Sequence, residues 1–344
     1  MTSRLRLLDC TLRDGGNQNN WRFSIEEAQT VVRLLDETRV DVIEVGYRGG
    51  SGSNTDPNAG EAARCSRDYL ASLPATTHAA LAVMVVPTVC AITELDDLPD
   101  TAISMVRVAA YPWDVERAVP FVRRLRELGL RSTVNLMALS YVDSAELARI
   151  VRLFEDDAPE IFYVADSFGA LLPDQISSKI RLITQEFAGD VGIHVHNNLG
   201  LAAANTLAAV DAGATWVDAS LCSMARGAGN LATEQAVSII RSSPVLESGF
   251  ELSSVLDAAD YVSARLLESP MVVAREQLMA GINDHHYYFQ PLVLEQSNAF
   301  GLDPIEVGRR LGLTRPRSVT REAVTQICES IRLESTVSSG GPFQ

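Results

Sequence analysis

Along the chain, short apolar runs alternate with longer stretches in which apolar positions recur at helical spacing. Short β-rich runs predict strands, and a 3.6-residue recurrence predicts amphipathic helices. The first predicted strand covers residues 5–10 and ends in a loop crowded with Asn and Gly. Ser24 followed by Glu27 has the spacing of a capping box. Ala28, Val31, Val32 and Leu35 then fall on one helical face. "VDVIEVGY" (40–47) predicts a second strand, with a helix over 60–73. "HAALAVMVVP" is a third, with a helical turn near 93–97, and "AISMVRVAA" a fourth, with a helix over 114–128. "RSTVNLMAL" is a fifth, with a helix over 143–156. "IFYVADS" is a sixth, and its helix opens at Pro173, a tolerated first-turn position. "VGIHVHN" is a seventh, followed by the Ala-rich "LGLAAANTLAAVDAG", stopped at Gly213. "TWVDASLC" is an eighth, with a helix starting near Leu231.

Eight strand–helix units in order is the count of an α/β fold of the (β/α)8 TIM-barrel type. A doubly wound open sheet is the rival, but it rarely needs eight regular units. The predicted strands are short and continuously apolar, as parallel strands covered on both faces should be. The expected organisation is a catalytic barrel over 1–245, a helical C-terminal extension over 246–333, and a disordered tail over 334–344. The extension is expected to cover the barrel mouth or form an interface.

Composition narrows the class. Hydrophobic residues make up 47% of 344, ample for a large core, and no long uncharged apolar run offers a membrane span. The N-terminus lacks a signal-peptide pattern, so a cytoplasmic location is the default expectation. A net charge of -15 argues against a nucleic-acid partner, which calls for a basic stripe. The five cysteines are dispersed with no C-x-x-C, so neither a disulfide framework nor a zinc ribbon is expected. In so acidic a chain an anionic substrate needs local positive charge, from an Arg or a metal.

In a barrel the reactive groups gather at the C-terminal strand ends and the loops that follow. Those places hold Arg13 and Asp14 after strand one, and Glu44, Tyr47 and Arg48 on strand two. Asn135 lies on strand five, Asp166 and Ser167 on strand six, His194, His196, Asn197 and Asn198 on strand seven, and Arg226 and Asn230 after strand eight. His194-Val195-His196 is the sharpest of these. Residues i and i+2 of a strand point the same way, so two imidazoles converge as a divalent metal requires. Hydrogen-bonded core histidines are the alternative. Asp14 is the natural third ligand, and a His2Asp set with open positions suits Mn2+, Mg2+, Fe2+ or Zn2+. Arg13 is either a salt-bridge partner or a fixed cation facing an enolate or carboxylate. "RGAGN" (226–230) lets backbone approach an anion. Asn205 and Asn230 are candidates to orient ligands, Asn205 equally a packing residue.

Four stretches carry a family resemblance: "DCTLRDG" (9–15), "DVIEVG" (41–46), "YVADSFGALLPDQI" (163–176) and "GIHVHNNLGLAAANTLAAVDAGATWVDASLCSMARGAGN" (192–230). Together they resemble the metal-dependent aldolase and acyltransferase barrels. That family includes 4-hydroxy-2-oxovalerate aldolase, hydroxymethylglutaryl-CoA lyase and isopropylmalate synthase. The third and fourth stretches look most like the hydroxy-oxovalerate aldolase branch. Claisen-type synthases usually show Gly-Glu-Arg where Ala225-Arg226-Gly227 stands, which tilts the expectation away from acetyl-CoA condensation. A Claisen-type acyl-CoA lyase or synthase stays the alternative, and a barrel that only serves as a partner subunit is a third.

The resemblance implies that Asp14, His194 and His196 bind a divalent metal, Mn2+ or Mg2+ first, Zn2+ or Co2+ next. It implies that Arg13 stabilises an enolate, that Glu44 holds Arg13, and that Ser167, with His194 and Asn230, contacts substrate. The implied small molecules are a 2-oxo acid such as pyruvate and an aldehyde, joined as a 4-hydroxy-2-oxo acid. Helical extensions on barrels commonly build homodimers. In related aldolases they dock an aldehyde dehydrogenase, although this C-terminal stretch shows no clear match to that docking segment. One departure stands out. The hydroxy-oxovalerate aldolases keep a His two residues beyond Arg-Asp-Gly as the base, and Gly16-Asn17-Gln18 offers none. "NDHHYYF" (283–289) is the expected replacement, with His285 for proton transfer and Tyr288 or Tyr287 contacting substrate. A packing or interface role for the cluster is the alternative.

Overall fold

The apolar runs pair in parallel and close on themselves. A computed structural model describes residues 3–51, 56–243, 246–247 and 249–339. Its barrel strands are β1 (Arg6–Asp9), β2 (Val42–Tyr47), β3 (Ala80–Val85), β4 (Ile103–Ala110), β5 (Arg131–Leu136), β6 (Ile161–Asp166), β7 (Asp190–Val195) and β8 (Trp216–Ala219). They neighbour one another in chain order, and β8 returns to pair with β1. The outer helices are α1 (Ile25–Glu37), α2 (Arg67–Ser72), α3 (Ala118–Glu127), α4 (Ser144–Arg152), α5 (Pro173–Glu186), α6 (Ala202–Asp211) and α7 (Thr233–Ser242). Two 3-10 turns, Ile92–Leu95 and Leu98–Asp100, take the place of a helix between β3 and β4. This is the expected (β/α)8 architecture, and the Ser24–Glu27 capping box opens α1.

Strand alternation divides the side chains between two cores. Leu7, Ile43, Val106 and Val217 face the helices. Leu8, Val42, Met105, Tyr163 and Trp216 fill the barrel interior. Gly192 pairs with Tyr163 and makes room for it, because a Cβ there would come within 2.4 Å of the ring. Two residues on from Val42, Met105 and Trp216 stand Glu44, Arg107 and Asp218. The interior layer above the apolar floor is therefore charged, and all three groups are fully buried.

Local departures from the expected elements have backbone causes. The helix expected over 60–73 divides into a 3-10 turn, Glu61–Ala63, and α2, because Cys65 adopts a left-handed φ of 43°. β5 stops at Leu136, and Ala138 at φ 52° turns the chain into the 3-10 turn Leu139–Tyr141.

Among the described residues, five α-helices follow the barrel: α8 (Leu252–Arg265), α9 (Arg275–Ile282), α10 (Gln290–Phe300), α11 (Pro304–Leu313) and α12 (Arg321–Ser339). α8 packs on α1 and α7. α10, α11 and α12 bury a small core of their own around Val293, Val307, Leu311, Val324 and Cys328. The segment between α9 and α10 reaches the barrel mouth. Tyr141 Oη donates to Asp284 O at 3.2 Å, and Arg315 Nη1 donates to Tyr141 O at 2.9 Å. α12 runs to Ser339, past the boundary of 333 expected for the extension. The rest of the expected tail, 340–344, lies outside the described residues. No helix among the described residues is long and apolar enough to cross a membrane.

Candidate metal centre and active site

The loop after β1 is a built turn. The backbone N–H groups of Arg13 and Asp14 both donate to Cys10 O, at 3.1 and 2.8 Å. Trp21 Nε1 donates to Arg13 O at 2.7 Å, and Gly16 lies against the indole, where a Cβ would approach to 2.1 Å. The stretch "GGNQNNW" therefore braces the Arg-Asp pair from behind. Arg13 Nη1 lies 2.8 Å from Asp14 Oδ1, and Asn230 Nδ2 donates to Asp14 Oδ2 at 2.8 Å. Asp14 thus has a fixed orientation before any ligand arrives.

His194 and His196, from the end of β7 and just beyond it, face Asp14. Their Nε2 atoms lie 3.5 and 3.8 Å from Asp14 Oδ2. One ligand atom from each of the three residues falls within 4.8 Å of the others, and all three residues are buried. No other trio of His, Cys, Asp or Glu converges this way among the described residues. The donor set fits a divalent metal for a further reason. Asp218 Oδ2 lies 3.0 Å from His194 Nδ1, so the carboxylate accepts a hydrogen bond from Nδ1–H and leaves the Nε2 lone pair facing Asp14.

Electrostatics support the same assignment. Burial alone would raise the Asp14 carboxyl, but Arg13 and the two imidazoles outweigh it and hold it well below the usual carboxylate range. Burial opposes charge on both imidazoles. For His194, hydrogen bonds to Asp14 and Asp218 win and raise the pKa. For His196, burial and then the Arg226 charge act together and keep the ring neutral.

Behind the three candidate ligands runs a closed ring of charge. Glu44 Oε2 lies 2.7 Å from Arg13 Nε and 3.0 Å from Arg107 Nη1. Arg107 Nη2 lies 2.6 Å from Asp218 Oδ2, which holds His194. His194 faces Asp14, and Asp14 pairs with Arg13. The Arg107 guanidinium also lies over the Tyr163 ring, 4.5 Å from its centroid. Burial pushes the Asp218 carboxyl up, but Arg107 and then His194 prevail and lower it. Buried charges survive when each has an opposite partner at hydrogen-bonding distance, and this ring meets that condition.

The pocket above the ring is lined by Arg13, Tyr47, Met84, Ala109, Asn135, Met137, Ala165, Ser167, His194, His196 and Arg226. Ser167 Oγ accepts from Ala138 N at 2.9 Å, which leaves its own hydrogen for the pocket. Arg226 donates from Nε to His196 Nε2 and from Nη2 to Ser167 O, each at 3.2 Å. Among the described residues, Asn205 is buried, donates to Leu171 O at 2.8 Å, and makes no hydrogen bond to Asp14, His194 or His196.

Of the residues expected from sequence, Arg13, Asp14, Glu44, Ser167, His194, His196 and Asn230 come together here. His285 does not. It is 0% exposed, its Nδ1 lies 3.1 Å from His286 O, and its ring packs beside Phe289, off the pocket wall. The imidazole that feels the charges of Arg226 and Asp14 is His286, stacked on Tyr288 with centroids 4.5 Å apart. Tyr288 Oη donates to Asn17 Oδ1 at 3.1 Å, which joins the loop lacking a histidine to the C-terminal segment. Arg107 and Asp218 were absent from the sequence candidates. Their signal was a charged residue inside an apolar strand, in "MVRVAA" and "TWVDAS".

The HMGL-like family model matches residues 4–262, which span the whole barrel and all three candidate ligands. The chain belongs to the HMGL-like family. Among its curated relatives, a 4-hydroxy-2-oxovalerate aldolase of Geobacillus genomosp. 3 is 33% identical over 310 residues, covering 89% of this chain and 92% of that protein. The one of Geobacillus thermodenitrificans is 30% identical and covers 96% of each. The hydroxymethylglutaryl-CoA lyase of Pseudomonas aeruginosa superposes with a TM-score of 0.67 at 19% identity, over 80% of this chain and 98% of that one. That likeness is one of fold. Within this HMGL-like barrel the shared architecture places the Asp-His-His trio at the C-terminal end of the strands, where such barrels do their chemistry.

Proposed function

We propose that this HMGL-like chain is a divalent-metal aldolase, a carbon–carbon lyase acting on 4-hydroxy-2-oxo acids. It makes or breaks the bond between a pyruvate-type enolate and an aldehyde. The observation that carries the proposal is the convergence of Asp14, His194 and His196 within 4.8 Å beside the Arg13 guanidinium. The full-length similarity to 4-hydroxy-2-oxovalerate aldolases supports it. A divalent metal held by these three residues, Mn2+ or Mg2+ by the hardness of the set, supplies Lewis acidity to the oxo acid.

The chain's own residues do the rest. Arg13 presents a cation where negative charge develops on the C2 oxygen. Asp14 and Glu44 hold that guanidinium at 2.8 and 2.7 Å, so it needs little reorganisation during the reaction. Asn230 orients Asp14, and Asp218 orients His194. Ser167 turns its hydroxyl hydrogen to the oxo acid. Tyr288 gives its own hydrogen to Asn17, so its oxygen lone pairs are available to the substrate's 4-hydroxyl. Tyr288 Oη is assigned to accept a hydrogen bond from that hydroxyl and so to orient it.

The direct test is exchange of pyruvate methyl protons in D2O, followed by NMR after quenching and removal of metal. Exchange is expected with Mn2+ or Mg2+ and should vanish in the double variant His194→Ala, His196→Ala. Exchange that persists in the double variant would overturn the proposal.

A further inference from the structure

Arg226 differs from the other arginines that approach the barrel interior. Arg13 sits on Asp14 and Glu44, Arg107 on Glu44 and Asp218, and Arg48 on Glu94 and Asp97. Arg226 is partly buried on the pocket wall and has no carboxylate partner within 4.0 Å among the described residues. A guanidinium carries five N–H donors. Those of Arg226 that are placed go to Ser167 O and to His196 Nε2. The second acceptor is the nitrogen that a metal would claim, so metal binding and this hydrogen bond exclude one another. A metal held by His196 Nε2 would turn Arg226 off that nitrogen and leave its cation free for a ligand in the pocket.

From this geometry we infer that Arg226 binds the carboxylate of the 2-oxo acid, an inference that rests on the aldolase proposal above. The charge of the site agrees. Asp14, Glu44 and Asp218 are balanced by Arg13, Arg107 and Arg226, burial pushes the nearby Asp166 carboxyl up to about 7 and toward its neutral form, and the two imidazoles are neutral as ligands. A divalent metal then leaves two positive charges. The enolate of a 2-oxo acid is a dianion, one charge on the carboxylate and one on the C2 oxygen, and it brings the site to neutrality. Without Arg226 the same complex would carry a net negative charge in a buried place, which is costly. The planar fork of a guanidinium matches a planar carboxylate.

The test is calorimetric and needs no turnover. Metal-free protein is titrated with Mn2+ and then with oxalate, a planar dianion that stands in for the enolate. Arg226→Gln is expected to weaken oxalate by about tenfold or more, the scale of a lost charge-assisted pair. Its Mn2+ affinity should be equal or higher, because a hydrogen bond to a ligand nitrogen and a repelling cation have both gone. Unchanged oxalate binding in the variant, with normal Mn2+ binding in both proteins, would overturn the role of Arg226 alone. Loss of Mn2+ together with oxalate would show that Arg226 merely shapes the loop, and would also overturn it. Wild-type protein that binds no Mn2+ would overturn the aldolase proposal itself, and this inference with it.

Discussion

Asp218 Oδ2 lies 3.0 Å from His194 Nδ1 and 2.6 Å from Arg107 Nη2. A single carboxylate oxygen thus sets the tautomer of a proposed metal ligand and neutralises a guanidinium buried in the barrel. Removing its charge weakens both. Asp218→Asn should lower Mn2+ affinity by about 10–100-fold, the range typical of a lost carboxylate behind a histidine ligand. Mn2+ titration of the two proteins measures this, and equal affinities would reject the orienting role.

Arg107 is the counter-charge for both Glu44 and Asp218 inside the barrel. Arg107→Leu would leave two carboxylates with diminished compensation in a buried layer. Breaking a buried pair from one side costs about 3–5 kcal/mol. Urea unfolding should show a loss of that order. The surface pair of Arg149 with Glu146 is the control, since Arg149→Ala should cost no more than about 1 kcal/mol. Similar losses in the two variants would contradict the structural importance of the ring.

Tyr288 and His285 make opposite predictions. With Tyr288 accepting a hydrogen bond from the 4-hydroxyl, Tyr288→Phe should cut aldol cleavage by about three- to tenfold, the scale of one lost hydrogen bond. Pyruvate proton exchange involves no 4-hydroxyl and should persist. His285 is fully buried off the pocket wall, so His285→Ala should leave the pH–rate profile in place and lower the melting temperature. A displaced profile in His285→Ala, or unaltered cleavage in Tyr288→Phe, would reverse the assignment.

Metal binding should fail in mild acid. Asp14 and Asp218 raise the His194 pKa above its ordinary value near 6.5, so in metal-free protein a proton competes for Nε2 from above that pH. Mn2+ affinity should fall by about tenfold per pH unit as pH drops through the raised pKa. Asp14, whose pKa is lowered, stays ionised in this window, and His196 is already neutral. The effect on folding has the other sign. The protonated His194 stabilises the metal-free fold below its unfolded pKa, and that contribution disappears as pH rises through the folded one. Parallel Mn2+ titrations and melting curves from about pH 5.5 to 8.5 would separate the two trends. Loss of metal and of fold over the same range would contradict them.

The barrel could be read from the sequence because each strand is a local apolar run and each helix a local periodicity. His194 and His196 were readable for the same reason, since their convergence follows from i, i+2 alternation on one strand. The ring behind them was not. Arg107 makes sense only against Glu44 and Asp218, which lie 63 and 111 residues away, and pairing at that range leaves no local pattern. The choice between His285 and His286 was equally out of reach. Adjacent residues leave a short non-periodic segment in different directions, and the 3-10 turn Tyr287–Phe289 that decides between them has no repeat to announce it.

The hydrogen bond between Asn17 and Tyr288 spans 271 positions of the chain. A ribosome has emitted every barrel strand well before it reaches Tyr288, and N-terminal segments fold first during synthesis. The nascent barrel can thus assemble its Asp-His-His trio early, while its mouth still lacks the tyrosine. On the role proposed for Tyr288, completion of the site trails completion of the scaffold and waits for the last helices to dock.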